Sequence, residues 1–246
     1  MKSFKFAVIL LIISIASHSS FSQVKLSLGP SIGLTVPTGD YSGTTIDYYN
    51  GAKYGLSSGV NFGAIFKIKL PVVRIRAGLN YSSLSNTGNS EADKPNSFVE
   101  VKHSLFMISA GPEFSFNVPS SPITPYAGVD LLFTSISGET RFQGVSRVET
   151  GTYNMAGASR LGVGIGAGVE FGFGGKYAVD LSLRYNFINL IGKKFEELST
   201  DRREDSYVNL NDEQDPNYGN NIDKHFINNS RSISTFQVNL AFLFGL

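Results

Sequence analysis

The 246-residue chain contains no cysteine, no tryptophan and only three histidines. The lack of cysteine excludes a disulfide framework, a thiolate metal site and a cysteine nucleophile. His18 lies near the amino terminus, which leaves His103 and His225 for a folded domain. Charged residues make up only 17% of the chain, and the formal net charge is +1. A near-neutral chain without a basic block argues against nucleic-acid binding.

Residues 1–22 have the features of a secretory signal peptide. Two lysines precede an apolar run over 6–16, and small serines at positions 20 and 22 precede a cleavage site before Gln23. The apolar run is too short for a membrane-spanning helix, which needs about 20 residues. We therefore expect export and cleavage, leaving one domain over 23–246.

Beyond this leader, apolar residues alternate with glycine and with small or polar residues. In 161–173, LGVGIGAGVEFGF, every odd position is apolar and every even position is glycine or glutamate. A period of two predicts a strand whose two faces meet different environments. Eight segments share the pattern, namely 24–36, 56–68, 72–83, 105–118, 126–135, 161–173, 177–188 and 234–246.

The predicted connections alternate in length. Short ones fall at 69–72, 118–125 and 174–176, and long ones at 37–54, 84–98, 136–159 and 189–232. Short turns at one end and long loops at the other are typical of outer-membrane barrels. The sequence thus predicts an all-β fold without helices: an eight-stranded antiparallel up-and-down transmembrane β-barrel with short periplasmic turns and long extracellular loops.

A soluble barrel with its apolar face inward is the alternative reading of this alternation. The lumen of an eight-stranded barrel is too narrow for so many bulky side chains. The opposite face, rich in glycine and serine, suits a narrow polar lumen, and the export signal supplies a destination. We therefore expect the apolar face to meet lipid, where closure of the sheet satisfies every backbone hydrogen bond.

Two features predict irregular strands. Proline follows glycine at Gly29-Pro30 and at Gly111-Pro112, and each proline removes a ladder hydrogen bond, so we expect bulges there. Val99 and Val101 share a face with His103, which indicates a slip of phase, and another bulge, at 103–105.

Three stretches carry a family resemblance: SAGPEF at 109–114, PYAGVDLLF at 125–133, and LGVGIGAGVEFGFGG followed by KYAVDLSLRYNF over 161–187. In these the chain resembles the outer-membrane β-barrel domain family that includes PorT-like proteins, and more distantly the small OmpA/OmpX-type barrels. The resemblance implies an integral barrel of the bacterial outer membrane. For PorT-like members it implies a part in a protein-secretion and gliding apparatus, although the long loop over 189–232 departs from the family's pattern.

Charged residues of the strands lie on the predicted lumen face, three to eight residues from a short turn. Unpaired, each would cost several kcal/mol in a poorly hydrated interior. We therefore predict a network of salt bridges that plugs the lumen, with a proton or ion path as the alternative. The predicted network comprises Lys67, Arg74, Arg76, Glu113, Asp130, Glu170, Asp180 and Arg184.

Other chemistry has weaker support in the residues. A rim hydrolase or acyltransferase would need His103 beside a serine and a carboxylate, yet Ser104 should point to the opposite face. The polar segment 193–231 is expected to be a solvated, partly disordered loop, although DRREDS could form a short helix or hairpin. Its acidic residues could instead bind Ca²⁺. They are Asp212, Glu213, Asp215 and Asp223.

The leading functional hypothesis is a non-enzymatic structural or interaction platform in the outer membrane, with a part in a PorT-like assembly. A narrow pore is the alternative, and a rim enzyme the third. The expected partners are outer-membrane lipid, the barrel-assembly machinery and an envelope or secretion protein, with no nucleic acid. We predict no catalytic residue, no cofactor and no metal.

Overall fold

The computed structural model describes residues 25–70, 73–116, 119–197 and 201–246. The predicted signal peptide at 1–22 lies outside these residues. Eight strands account for most of the described chain. They are β1 (Lys25–Thr38), β2 (Gly59–Lys69), β3 (Arg74–Asn89), β4 (Phe98–Ser115), β5 (Ile123–Gln143), β6 (Gly151–Phe173), β7 (Tyr177–Ile191) and β8 (Ser234–Gly245).

The strands form a closed barrel in which each one pairs antiparallel with its neighbours in sequence, and β8 pairs with β1. The predicted fold class, an eight-stranded up-and-down barrel, is confirmed. Closure leaves no free edge, so the backbone groups of every strand are satisfied within the sheet.

Large apolar side chains point outward from all eight strands and are exposed, while the charged side chains of the lower lumen are buried. A soluble protein has the reverse arrangement. One such outward residue from each strand, in order, is Ile32, Val60, Leu79, Ile108, Leu131, Ile165, Leu183 and Leu240. This apolar outer band is the surface that a bilayer covers.

Several strands are longer than the period-two pattern indicated. The connection expected over 136–159 is largely a paired hairpin, because β5 continues to Gln143 and β6 begins at Gly151. In this part of the sheet the buried apolar residues Ile136 and Phe142 face inward. Apolar side chains point outward only at the depth of the lipid. The period-two pattern therefore did not predict the parts of β5 and β6 that extend above the lipid.

The bulges expected at the two prolines are not present. Pro30 pairs with Ala64, and Pro112 pairs with Ile75, in a continuous register. On the other side of each strand the pairing is interrupted at the glycine and the proline, as the loss of a ladder hydrogen bond predicts, but the register does not shift. The glycine before each proline explains this, since a Cβ at Gly29 would overlap the carbonyl oxygen of the neighbouring strand β8. Its absence lets the partner strand approach closely beside the proline.

The phase slip expected at 103–105 is also wrong, because β4 keeps one register with β3 from Phe98 to Glu113. Register shifts occur instead between Ile136 and Gly138 in the β5–β6 pair, and between Leu161 and Val163 in the β6–β7 pair. Val99 and Val101 lie inward beside His103 because the upper lumen is apolar, and no bulge is needed to place them there.

The loops that the structure describes contain three short helices, of which the sequence interpretation considered only the one in DRREDS. Helix α1 (Thr45–Tyr49) begins with a capping box, in which Thr44 and Asp47 each accept a hydrogen bond from the other's backbone N–H. Two 3-10 helices cover Gly39–Tyr41 and Arg203–Tyr207. Among the residues that the structure describes, every helix is too short or too polar to traverse a bilayer.

Candidate functional site

The barrel interior has two layers of different chemistry. The layer near the short turns is charged, and the period of two in the strands places its side chains there. All eight residues predicted for the lumen network are buried in it. They come from six consecutive strands: Lys67 from β2, Arg74 and Arg76 from β3, Glu113 from β4, Asp130 from β5, Glu170 from β6, and Asp180 and Arg184 from β7.

Lys67 occupies the centre of this charged layer. Its Nζ lies 2.7 Å from Asp180 Oδ2 and 3.1 Å from Glu113 Oε2. It also lies 4.0 Å from the centroid of the Tyr126 ring, whose hydroxyl donates to Asp180 Oδ1 at 2.8 Å. Because β2 and β7 are not neighbours in the sheet, the Lys67–Asp180 pair crosses the lumen.

Two arginines complete a second set of pairs beside it. Arg184 donates to Glu113 Oε1 at 2.8 Å and also pairs with Asp130. Arg76 donates to Asp130 Oδ2 at 3.1 Å and to Ser109 Oγ at 3.0 Å. Glu113 and Asp130 therefore each face more than one cation, which is the arrangement that offsets the desolvation cost of buried charge.

Glu170 lies nearest the short-turn end of the layer. Arg74 donates to its Oε2 at 3.2 Å, Lys67 lies 3.9 Å away, and Lys69 also pairs with it. Lys69 was missed by sequence reasoning because the predicted strand ended at residue 68. Its parity with Lys67 would have placed it in the lumen. Tyr126 was also missed, although it lies inside the predicted strand 126–135 and shares its parity with Asp130; it points inward beside outward Ala127.

The layer toward the long loops is apolar. Inward side chains of β3, β4 and β5 pack there against residues of the first and last loops. The strands supply Leu84, Val99, Val101, Leu105, Ile136 and Phe142, and the loops supply Tyr41, Tyr48, Tyr54, Leu56, Tyr207, Leu210, Phe226 and Ile227. The protein's own loops thus fill the lumen at this level. We call the loop residues of this list the loop plug.

His103 is buried beneath the loop plug. Its Nδ1 lies 3.1 Å from the Tyr41 hydroxyl, and its ring lies against Tyr41 and Tyr54. Ser104 faces the other side of the sheet, where its Oγ accepts a hydrogen bond from Tyr81 at 2.9 Å. Among the residues that the structure describes, the constellation of histidine, serine and acid that a rim hydrolase needs is therefore not assembled around His103.

The last loop is held in the barrel mouth by a buried ion pair. Arg160 of β6 donates from Nε and from a terminal nitrogen to the two oxygens of Asp212, both at 2.7 Å. Asp212 also accepts from Asn189 at 2.9 Å and from the Lys194 backbone N–H at 3.0 Å. Bidentate pairing to arginine is the strongest geometry for a carboxylate.

Two further arginines of this loop stack on aromatic rings. Arg231 lies 4.2 Å from the centroid of the Tyr54 ring, and Arg203 lies 4.0 Å from that of Phe226. Burial raises the pKa of Tyr48 to about 12, and burial also raises the pKa of Tyr54. These phenols therefore remain neutral inside the plug at physiological pH.

The prediction of a solvated loop over 193–231 is wrong for the residues described. Tyr207, Leu210, Phe226 and Ile227 are buried although they are scattered through a polar sequence. Their spacing follows no single period, because the loop folds back on itself inside the mouth. The helix considered for DRREDS exists as the 3-10 helix at Arg203–Tyr207.

The four acidic residues considered for Ca²⁺ do not converge. Asp212 pairs with Arg160, Asp215 lies 2.9 Å from His225 Nδ1, and Asp223 lies 3.2 Å from Arg147. Glu213 accepts a hydrogen bond from the Gln214 backbone N–H at 3.2 Å. Within the described part of the chain, no group of three or more histidine or acidic side chains is arranged to hold a metal ion.

The geometry defines a class: an eight-stranded barrel with an apolar outer band, a charged lower lumen and a mouth filled by loops. Residues 6–228 match the family model described as outer membrane protein beta-barrel domain. The chain therefore belongs to the outer membrane protein beta-barrel domain family, and it lies in the bacterial outer membrane. The resemblance seen in the sequence is confirmed at the level of this family.

Solved structures with a similar fold include Neisserial surface protein A, at 14% identity and a TM-score of 0.49, with 89% of this chain and 96% of that chain covered. The amino-terminal barrel domain of Pseudomonas aeruginosa OprF has 12% identity and a TM-score of 0.41, covering 91% and 100%. OprG from the same organism has 12% identity and a TM-score of 0.43, covering 90% and 95%. None of the curated proteins matches the chain. The family assignment depends on the sequence match and not on these structures.

Proposed function

We propose that this protein is a closed, non-conducting barrel whose extracellular loops form a fixed surface for binding a partner outside the cell. The observation that carries the proposal is a lumen blocked twice, by the charged layer below and by the loop plug above. Outer-membrane lipid surrounds the barrel, and export through a cleaved leader at 1–22, followed by insertion by the barrel-assembly machinery, belongs to the same proposal.

The charged layer supports closure because its ion pairs run across the lumen. Lys67 of β2 reaches Asp180 of β7, and Arg184 of β7 reaches Glu113 of β4. An ion in transit would have to separate these pairs in a poorly hydrated interior, at a cost of several kcal/mol per charge.

The interior cavities also support closure. One cavity of about 20 Å³ lies beside Arg76, Asn80 and Asn239, and another of about 20 Å³ lies beside His103 in the loop plug. A cavity needs roughly 10–15 Å³ to hold one water molecule. Each of these spaces therefore accommodates about one water and no hydrated ion.

The packing of the loops supports a role in binding. Surface loops are ordinarily mobile, and an ordered binding surface requires that they be tied down. Here Arg160–Asp212 ties the last loop to β6, and Tyr48 Oη lies 2.7 Å from Thr140 Oγ1 and so ties α1 to β5. The surface above the membrane is thus pre-shaped.

The test of closure is single-channel recording on the full refolded chain in planar bilayers. We expect no conductance steps from the wild type. A variant in which 201–231 is replaced by a short Gly-Ser linker should also stay closed, because the charged layer remains. The positive control removes three cations of the charged layer together with the three carboxylates that they pair with, so that no buried charge is left unpaired and the lumen should open. Its added substitutions are Lys67→Ser, Arg76→Ser, Arg184→Ser, Glu113→Ser, Asp130→Ser and Asp180→Ser. Steady ohmic steps from the wild type would refute the proposal and favour a pore.

The interaction role is tested separately by photo-crosslinking from residues of the extracellular loops in intact cells. We expect adducts with material outside the cell and none with periplasmic proteins. A part in a PorT-like secretion assembly would give adducts from the short turns instead. The family match supports the barrel and its membrane, and nothing in it is specific to that assembly.

A further inference from the structure

A pocket of about 320 Å³ opens on the extracellular side, where the first, third and last long loops meet. Its walls combine aromatic and cationic side chains, and a barrel mouth is a preferred place for a ligand site. The residues that matter are Tyr49, Arg147, Arg203, Tyr218, His225 and Phe226.

Arg203 is the buried cation of this pocket. Its guanidinium lies 4.5 Å from the centroid of the Tyr49 ring and 4.0 Å from that of Phe226. It donates to the backbone carbonyls of Ile222 at 2.9 Å and of Tyr49 at 2.6 Å, while its Nε has no hydrogen-bond partner. Arg203 forms no ion pair with a carboxylate among the described residues, unlike Arg160 in the same mouth. Its terminal nitrogens are thus taken by backbone carbonyls and its Nε is buried, but its positive charge is not neutralised by a carboxylate of the described residues and attracts an anion to this wall.

Arg147 adds an adaptable donor from the opposite loop. It is half exposed, and its ion pair with Asp223, at 3.2 Å, joins two exposed side chains. Such a surface pair contributes little stability and exchanges readily for a better acceptor. Arg147 lies in the turn between β5 and β6 and has a φ of 59°, in the left-handed region of backbone conformation.

His225 supplies an oriented ring at the third wall. Its Nδ1 lies 2.9 Å from Oδ2 of Asp215, and Asp215 is fully buried. The other ring nitrogen, Nε2, lies 3.7 Å from Glu197, which is half exposed. The buried aspartate thus fixes the imidazole plane and leaves Nε2 as the nitrogen that can meet a ligand.

Aromatic and apolar groups form the rim. Tyr218 and Ile222 are more than half exposed, although they border a polar pocket. An aromatic face beside charged donors suits a ligand that has a carbon-rich face and an anionic substituent. A planar fork from arginine recognises a carboxylate in particular.

We propose that this pocket binds one acidic sugar residue, a carboxylate-bearing pyranose of an extracellular glycan. The carboxylate lies against Arg203 and Arg147, the ring stacks on Tyr218, and a hydroxyl meets His225 Nε2. The volume of the pocket, about 320 Å³, lies near the lower end of the range for ligand sites, about 300–1,000 Å³, and suits a ligand of one or two sugar rings. The inference rests on the proposed function, since it names the partner that the fixed loop surface would hold.

The test is calorimetric titration of the full refolded chain in lipid nanodiscs with D-glucuronate, D-glucose and benzoate. We expect glucuronate to bind with a Kd on the order of 1 mM and glucose at least tenfold more weakly. Equal binding of glucose would overturn the acidic-sugar proposal. Equal or tighter binding of benzoate would show a pocket for aromatic acids and would also overturn it, as would no binding of glucuronate.

The matched variants are Arg147→Gln and Arg202→Gln. Both arginines are more than half exposed, but only Arg147 lines the pocket. We expect Arg147→Gln to weaken glucuronate binding about tenfold and Arg202→Gln to leave it unchanged. Equal effects would mean general charge attraction and would refute the site. Arg203→Gln should abolish binding, with circular dichroism checking its fold.

Conductance separates this proposal from the closure of the lumen. Wild type and Arg147→Gln should both be closed in planar bilayers. A conducting wild type that binds glucuronate would remove the closed-barrel proposal and leave the sugar site standing. A closed wild type that binds no glucuronate would remove the sugar site alone.

Discussion

Asp212→Asn is the substitution that most directly tests how the last loop is held. The side chain keeps its shape, but the charge opposite Arg160 is lost. Arg160 and Asp212 are both almost completely buried, so the change leaves a cation in the barrel mouth without its counter-ion. Breaking a buried pair from one side costs about 3–5 kcal/mol.

The structure places the effect at the lower end of that range. Asparagine retains one oxygen, which can still accept a hydrogen bond from Arg160, Asn189 or the Lys194 backbone N–H. We therefore expect the free energy needed to open the loop to fall by about 3 kcal/mol, which corresponds to roughly a hundredfold larger population of the open form.

The assay is amide hydrogen exchange of the chain in nanodiscs, read by mass spectrometry. Peptides from 201–231 should exchange roughly a hundredfold faster in Asp212→Asn, while peptides from β1 to β8 stay protected. The control is Asp201→Asn, the same chemical change at an exposed position of the same loop, which should have little effect. Adding Arg160→Met removes the unpaired cation, so the double variant should lose less than the sum of the single losses.

A rise below about threefold in 201–231 would refute the reasoning, because it would mean that the pair does not hold the loop. An equal rise in the strand peptides would also refute it, since the loop and the barrel would then unfold as one unit.

Three further predictions follow from the same structure. Lys67→Met should lower the free energy of unfolding of the whole barrel by about 3–5 kcal/mol, because buried carboxylates lose their cation. Lys176→Met, in an exposed turn, is the control and should leave that free energy unchanged. Urea unfolding followed by circular dichroism measures both, and equal urea midpoints for the two variants would contradict the prediction. Raising the pH from about 10 to 12 should loosen the loop plug before the strands. Burial raises the folded pKa of Tyr48 from 10.0 to about 12, so its stabilising effect is complete below pH 10 and is lost as the pH rises through the folded pKa. Tyrosinate absorbance and exchange measure this, and titration without faster exchange would speak against it. Thr44→Ala removes the cap of α1 and should cost about 1 kcal/mol locally, visible as faster exchange in α1 with an unchanged urea midpoint; protection equal to the wild type would argue against the cap.

Much of the lower barrel was predictable from the chain alone. A period of two sorts residues into two faces, so Lys67 and Asp180 could be assigned to the same lumen without knowing the register. The same logic missed Lys69 because the strand was ended one residue too early. It could not pair the charges, since contacts between β2 and β7 depend on how the ring closes.

The upper barrel shows where the pattern stops. Val99 and Val101 led to the prediction of a bulge at 103–105, because every apolar side chain of a strand was expected to face lipid. Above the bilayer the outside of the barrel meets water, and the inside is filled by Tyr41 and other loop residues. The polarity of a face depends on what covers it, and a single strand carries no record of that.

The alternation of the strands and the lengths of their connections determined the class of fold and the set of charges that share one face, because both follow from local backbone geometry. Assigning the apolar face to lipid also needed the narrow lumen of an eight-stranded barrel and the export signal. Only the tertiary structure decided that the last loop folds into the mouth, that Arg160 meets Asp212, and that Arg203 stacks on the Phe226 ring. These contacts join residues from separate loops and strands. Their formation depends on the closed ring, which brings distant parts of the chain together only after every strand has paired.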